Sequence, residues 1–110
     1  MINRNFFKQT RILDGGMGQE LLARGMRPNS TLWSANAILD ENYHQLVLDT
    51  HIDFIKAGAE IIVTTTFATR QKRLKENNLL DKFEYLNQKA GEIAQSAKEK
   101  FPNIFIAGGI

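Results

Sequence analysis

The sequence predicts an α/β fold in which short parallel strands alternate with helices. Three observations predict it. Apolar runs of strand character stand at 11–14, 59–67 and 104–107. A long helical stripe precedes each of the two later runs. Each run ends in small or polar residues: Asp14-Gly15-Gly16, Thr64-Thr65-Thr66 and Gly108-Gly109. Crossovers of this length give right-handed parallel connections. Three such strands fit either an open doubly wound sheet or the opening of an eight-stranded barrel.

The lead-in, residues 1–11, is polar apart from Phe6-Phe7, and a short helical turn here would lay its aromatics over the bottom of the first strand. The run 11–14 is the first strand and 18–25 the first helix, with Leu21 and Leu22 as its buried side. Gly25 is placed to end that helix, and Pro28 blocks its continuation. Residues 26–39 read as irregular. Trp33, the only tryptophan, can line a site there or anchor the loop to the barrel wall, and anchoring is the favoured reading because large aromatics are seldom left in water.

Asp40 is a good N-cap for a helix over 40–57, closed by Gly58. Val47, Leu48, His51, Ile52, Phe54 and Ile55 recur at helical spacing as its buried stripe. The run 59–67 is rich in β-branched residues and lacks clean alternation, as suits a parallel strand covered on both faces. Residues 68–76 predict a short basic helix, broken by Asn77-Asn78. Asp81 is placed to cap a helix over 82–100, whose stripe runs Phe83, Leu86, Ala90, Ile93, Ala94, Ala97, Phe101. Pro102-Asn103 stops it before the third strand, 104–107. That strand closes the sequence with no helix after it, so the expectation is one N-terminal piece, 1–110, of a larger domain; a full barrel takes roughly 250 residues.

Composition narrows the function. Hydrophobic residues make up 43% and charged residues 24%, a globular balance. Fourteen Lys and Arg against 12 Asp and Glu leave a formal charge of +2, too thin and too scattered for a nucleic-acid surface. With no cysteine, the chain can build neither a disulfide framework nor a thiolate metal site. No stretch approaches the roughly 18 consecutive apolar residues of a membrane span, and no signal peptide is evident. The cytoplasm is the expected compartment, with neither nucleic acid nor membrane as partner.

Chemistry gathers at the strand ends. In a parallel α/β fold the carboxyl ends of the strands carry the site. Asp14 stands at the first of them, followed by Gly15, Gly16 and Gly18, where a ligand can approach bare backbone. Amides free at the start of the next helix favour an anionic group. A carboxylate beside such amides suits an amino-acid zwitterion: Asp14 takes the ammonium and the amides take the carboxylate. The spacing is not a dinucleotide fingerprint, and no phosphate-loop ending follows. Thr64, Thr65 and Thr66 offer hydroxyls, which can serve a ligand or the local backbone. His44 and His51 lie about two helical turns apart, roughly 10 Å, too far to hold one ion together. His51 reads as a packed histidine with a ring nitrogen bonded to a neighbour, and His44 as a surface residue. Arg70, Lys72, Arg73 and Lys75 read as a solvated face.

The segment from Ile12-Leu13-Asp14-Gly15-Gly16-Met17-Gly18-Gln19-Glu20-Leu21 to Arg24-Gly25 resembles the opening of the homocysteine S-methyltransferase family. Four further pieces agree in order and spacing: Leu32-Trp33-Ser34-Ala35; His51; the run from Ala57-Gly58 to Thr66-Phe67; and Ile106-Ala107-Gly108-Gly109-Ile110. The resemblance implies the first two βα units and third strand of a TIM (β/α)8 barrel. It implies that Asp14 holds the homocysteine amino group and that Gly15 and Gly16 receive its carboxylate. Thr64, Thr65, Thr66 and Phe67 would line the pocket. In the family a zinc ion, held by cysteines on later strands, keeps the homocysteine sulfur as a thiolate, which takes a methyl group from a small-molecule donor to give methionine. Three departures accompany the match. Thr65 stands where the family often has asparagine, Gly109 where it commonly has serine, and no cysteine is present. The expectation is therefore a chain that binds no cofactor itself, supplies part of the substrate pocket, and self-associates or needs the rest of its barrel. The competing expectation is a non-catalytic binding or scaffold unit whose open strand edges require a partner.

Overall fold

The computed structural model describes residues 4–29, 31–66 and 68–108, apart from the Phe7 side chain. Its sheet is small and parallel. Strand β1 (Ile61–Val63) pairs with β2 (Phe105–Ala107) in the register Ile61↔Phe105, Ile62↔Ile106, Val63↔Ala107. The run 11–14 lies on the other side of β1 but is reduced to a single parallel bridge, Leu13↔Ile61. The Ile61 N–H donates to the Ile12 carbonyl at 3.2 Å and the Asp14 N–H to the Ile61 carbonyl at 3.0 Å. The chain turns away at Gly15, so no further rung forms. β1 is also shorter than the expected 59–67: the Thr64 N–H still bonds Ala107, but the Thr66 N–H folds back onto the Thr64 carbonyl at 2.8 Å. The early turn leaves Thr64–Thr66 as a cap over the strand end.

The helices begin later than their acidic residues suggest. Asp40 accepts from the Asn42 N–H at 3.0 Å and caps a 3₁₀ turn, Glu41–Tyr43, which feeds α3 (His44–Lys56). Asp81 lies inside a second 3₁₀ turn, Leu80–Lys82, so α5 (Phe83–Lys100) starts without a side-chain cap. Residues 26–39 are not wholly irregular. They hold a 3₁₀ turn, Trp33–Ala35, running into α2 (Asn36–Leu39). The remaining helices are α1 (Met17–Ala23) and α4 (Gln71–Glu76).

Three helices end alike. Gly25, Gly58 and Asn78 have φ of 105°, 119° and 57°, and each opens a paired-bond C-terminal turn. After α1 the Met26 N–H reaches the Leu21 carbonyl; after α3 the Ala59 N–H reaches Phe54; after α4 the Leu79 N–H reaches Leu74.

Helices α3 and α5 cover one face of the sheet. Ile62, Ala94, Ala97 and Ile104 form one buried cluster, with Leu48, Ile52 and Ile55 packed on it. Leu21, Ile38, Val47, Leu74, Leu86 and Ala90 form the larger cluster toward α1 and α2. Each of the large aliphatic side chains here contributes about 1.5–3 kcal/mol by burial. The α5 stripe is as expected, with Leu86, Ala90, Ile93, Ala94 and Ala97 all buried. The Phe6 ring meets Phe105 edge-on at 4.7 Å and carries the Arg11 guanidinium over its face at 4.1 Å, so it touches the start of β2 as well as of the first run.

Candidate functional site

A cavity of about 520 Å³ opens where the run 11–14 and β1 end, bounded by the 14–16 turn, α1, the loop carrying Trp33, and residues 63–65. It brings together Asp14, Gly15, Gly16, Thr64 and Thr65. Thr66 is not among its lining residues; its hydroxyl lies 3.0 Å from that of Thr64. Phe67 falls outside the described residues.

Asp14 is half-buried at the rim. Its Oδ2 accepts from the Val63 N–H at 3.0 Å, which locks the carboxylate to the end of β1. Burial pushes its pKa up, against the hydrogen bonds from the N–H groups of Val63 and of Asp14 itself. A carboxylate short of solvent gains from a cation placed beside it. The backbone amides that open α1 border the same space and have no partners within the helix. The site thus offers a negative group and a set of donors on one short turn.

The opposite wall is apolar. Met17, Leu22, Met26, Pro28 and Trp33 line it. Two sequence expectations are corrected here. Leu22 is 41% exposed and turned to the cavity, whereas Leu21 alone enters the core. Trp33 does not anchor the loop in the interior; it is 56% exposed, at φ 53°, along the cavity wall. Its loop is held instead by Asn29, whose Oδ1 accepts from the Leu32 N–H at 2.8 Å, and by Arg73, which donates to the Thr31 carbonyl at 2.9 Å. The Arg73 bond takes it out of the solvated face expected for the basic run. An Asx turn before a lone tryptophan was the available signal, but it does not say which way the ring faces.

The histidines also differ from expectation. His44 is half-buried, with Nε2 2.7 Å from the Ile38 carbonyl oxygen. His51 is fully buried, and neither ring nitrogen has a hydrogen-bond partner among the described residues. Desolvation lowers its pKa to about 4. The Thr65 hydroxyl is likewise buried without a partner among the described residues.

The family model for homocysteine S-methyltransferase matches residues 11–110. The chain belongs to that family. Among members of the homocysteine S-methyltransferase family, it is 38% identical over 91 residues to homocysteine S-methyltransferase 2 of Zea mays, which covers 82% of this chain and 26% of that protein. It is 36% identical over 78 residues to homocysteine S-methyltransferase 2 of Saccharomyces cerevisiae, across 64% of this chain and 24% of that protein. The crystal structure of the homocysteine methyltransferase MmuM from Escherichia coli, in metallated form, superposes with a TM-score of 0.78 at 29% identity, over 92% of this chain and 38% of that one. The chain therefore spans about a quarter of the length of these curated relatives. Within the family's α/β architecture its share is the small parallel sheet and its covering helices.

The zinc ion that the resemblance implies does not fit the residues present. The chain has no cysteine, and among the described residues no group of three His, Asp or Glu side chains converges to hold a metal. No helix among the described residues is long and apolar enough to cross a membrane.

Proposed function

We propose that this chain is the first two βα units and third strand of a homocysteine S-methyltransferase barrel, and that it supplies the amino-acid end of the homocysteine pocket. Asp14 takes the ammonium group. The amides of the turn at Gly15 and Gly16 and of the start of α1 take the carboxylate. Thr64 and Thr65 close the same end of the pocket. The apolar wall receives the aliphatic chain and the methyl donor's nearer surface. Zinc, where the protein holds it, is bound by residues outside this chain. The product is methionine, made in the cytoplasm.

The observation that carries the reading is the Asp14 carboxylate itself. It is fixed by the Val63 N–H, half-buried, and set on a cavity beside amides that have no partner within α1. Such a group is costly to keep unless a cation joins it. The test is Asp14→Asn in the full-length protein, with L-homocysteine titrated calorimetrically. A bond to a charged group is worth about 1.5–3 kcal/mol, so affinity should fall by about tenfold to a hundredfold. Unchanged affinity would remove Asp14 from the site. The unaltered protein should also lose affinity in acid at a higher pH than an ordinary aspartate dictates, because the ionised form is needed and its pKa is raised.

A further inference from the structure

Gly15 is not required for a left-handed backbone: among the described residues the positive-φ glycines are Gly25 and Gly58. Its constraint is space. A Cβ built on Gly15 would lie 2.9 Å from Cε1 and 3.1 Å from Cζ of Phe54. Carbon atoms in ordinary contact stand at about 3.5–4.0 Å. The Phe54 ring therefore occupies the place where any other residue 15 would carry its side chain.

The Phe54 backbone is held. It sits in the last turn of α3, and its carbonyl accepts from the Ala59 N–H at 3.0 Å in the turn that leads into β1. β1 in turn carries Val63, whose N–H holds the Asp14 carboxylate. One unit, α3 with β1, thus grips two successive residues of the turn. A polar contact fixes Asp14, and the Phe54 ring lies against Gly15.

From this we infer that Phe54 is a positioning residue for the amino-acid end of the site. It sets how deep the 14–16 backbone lies beside Val63. The inference rests on the proposed homocysteine site, but its packing half is independent of it. Misplacement of a binding turn by about 1 Å is enough to cost up to a hundredfold in function. Relieving the crowding from the other side should restore what crowding takes away.

The experiment is a size-exchange set in the full-length protein: Gly15→Ala, Phe54→Leu and the double variant. Each is titrated with L-homocysteine and melted without ligand. Gly15→Ala should weaken L-homocysteine binding about tenfold or more and lower Tm. Phe54→Leu should weaken binding several-fold, because the turn loses its support. The double variant should bind within about threefold of the unaltered protein and melt above Gly15→Ala, a non-additive result that neighbouring groups in contact give. A double variant no better than Gly15→Ala, in binding and in Tm, overturns the inference. Phe54→Leu with unaltered affinity overturns the positioning role even if Gly15→Ala fails to fold. If the unaltered protein does not bind L-homocysteine, the proposed function falls; recovery of Tm in the double variant then still supports the packing pair, and its absence refutes it.

Discussion

Acid should destabilise this fold through His51. The residue is fully buried, and its place in α3, four residues after Val47 and four before Ile55, puts it at the centre of the covered stripe. Neither ring nitrogen has a partner among the described residues, so nothing described here compensates a charge on it. Its pKa falls from 6.5 to about 4 on folding. The folded value lies below the unfolded one, so the unfolded chain binds the proton first. Stability is complete above about pH 6.5, falls as pH drops, and levels off below about pH 4. At 1.36 kcal/mol per unit the whole window is worth about 3 kcal/mol, of which about 2 kcal/mol is lost between pH 7 and pH 5.

The assay is urea unfolding of the full-length protein and of His51→Leu at both pH values. Asp14 titrates with the opposite sign, since its folded pKa is raised, but it is present in both proteins and drops out of the difference. The unaltered protein should lose about 2 kcal/mol more than the variant on acidification. At pH 7 the variant should be no less stable, because leucine removes two buried polar atoms that lack partners. Equal losses in the two proteins would refute the argument, and would mean that His51 finds a partner or water when folded.

Gly58→Ala should cost about 1–2 kcal/mol, read as a lowered urea midpoint, because φ at 119° is strained for any residue with a Cβ. Purified alone, residues 1–110 should associate into dimers or larger species by light scattering, since Ile12 and Leu13 are 55% and 57% exposed on the outer edge of the sheet; a soluble monomer would count against the barrel reading.

What the sequence disclosed depended on how local the cause was. The α5 stripe and the ends of α1 and α3 at Gly25 and Gly58 follow from spacing and backbone freedom within one turn, and both are as read. The three parallel runs were likewise visible, though their lengths were overstated because ladder bonds depend on a neighbour. No periodic stripe marks the segment 26–39, so its sequence predicts no helix. Its order comes from packing: Leu32, Ala35, Ala37 and Ile38 are buried against other elements. Asp40 does cap, but it caps a 3₁₀ turn ahead of α3, whereas Asp81 lies inside such a turn and caps neither it nor α5. Trp33 and Leu22 misled for a shared reason. Hydrophobicity says that a side chain will leave water, not whether it enters the core or lines a cavity.

The site shows the same divide. Asp14, Gly15 and Gly16 could be named from nine consecutive residues, since a strand that ends in an acid and glycines is a local pattern. What holds the Asp14 carboxylate in place is not local. Its hydrogen bond comes from Val63, 49 positions away, and the ring beneath Gly15 comes from Phe54. Both partners are apolar residues doing ordinary core duty by pattern, one through its backbone and one through a ring edge. Neither has a side chain that advertises a role. If the proposed site is right, its affinity should respond to size changes at Phe54 as well as to charge changes at Asp14, because α3 and β1 pack behind the turn.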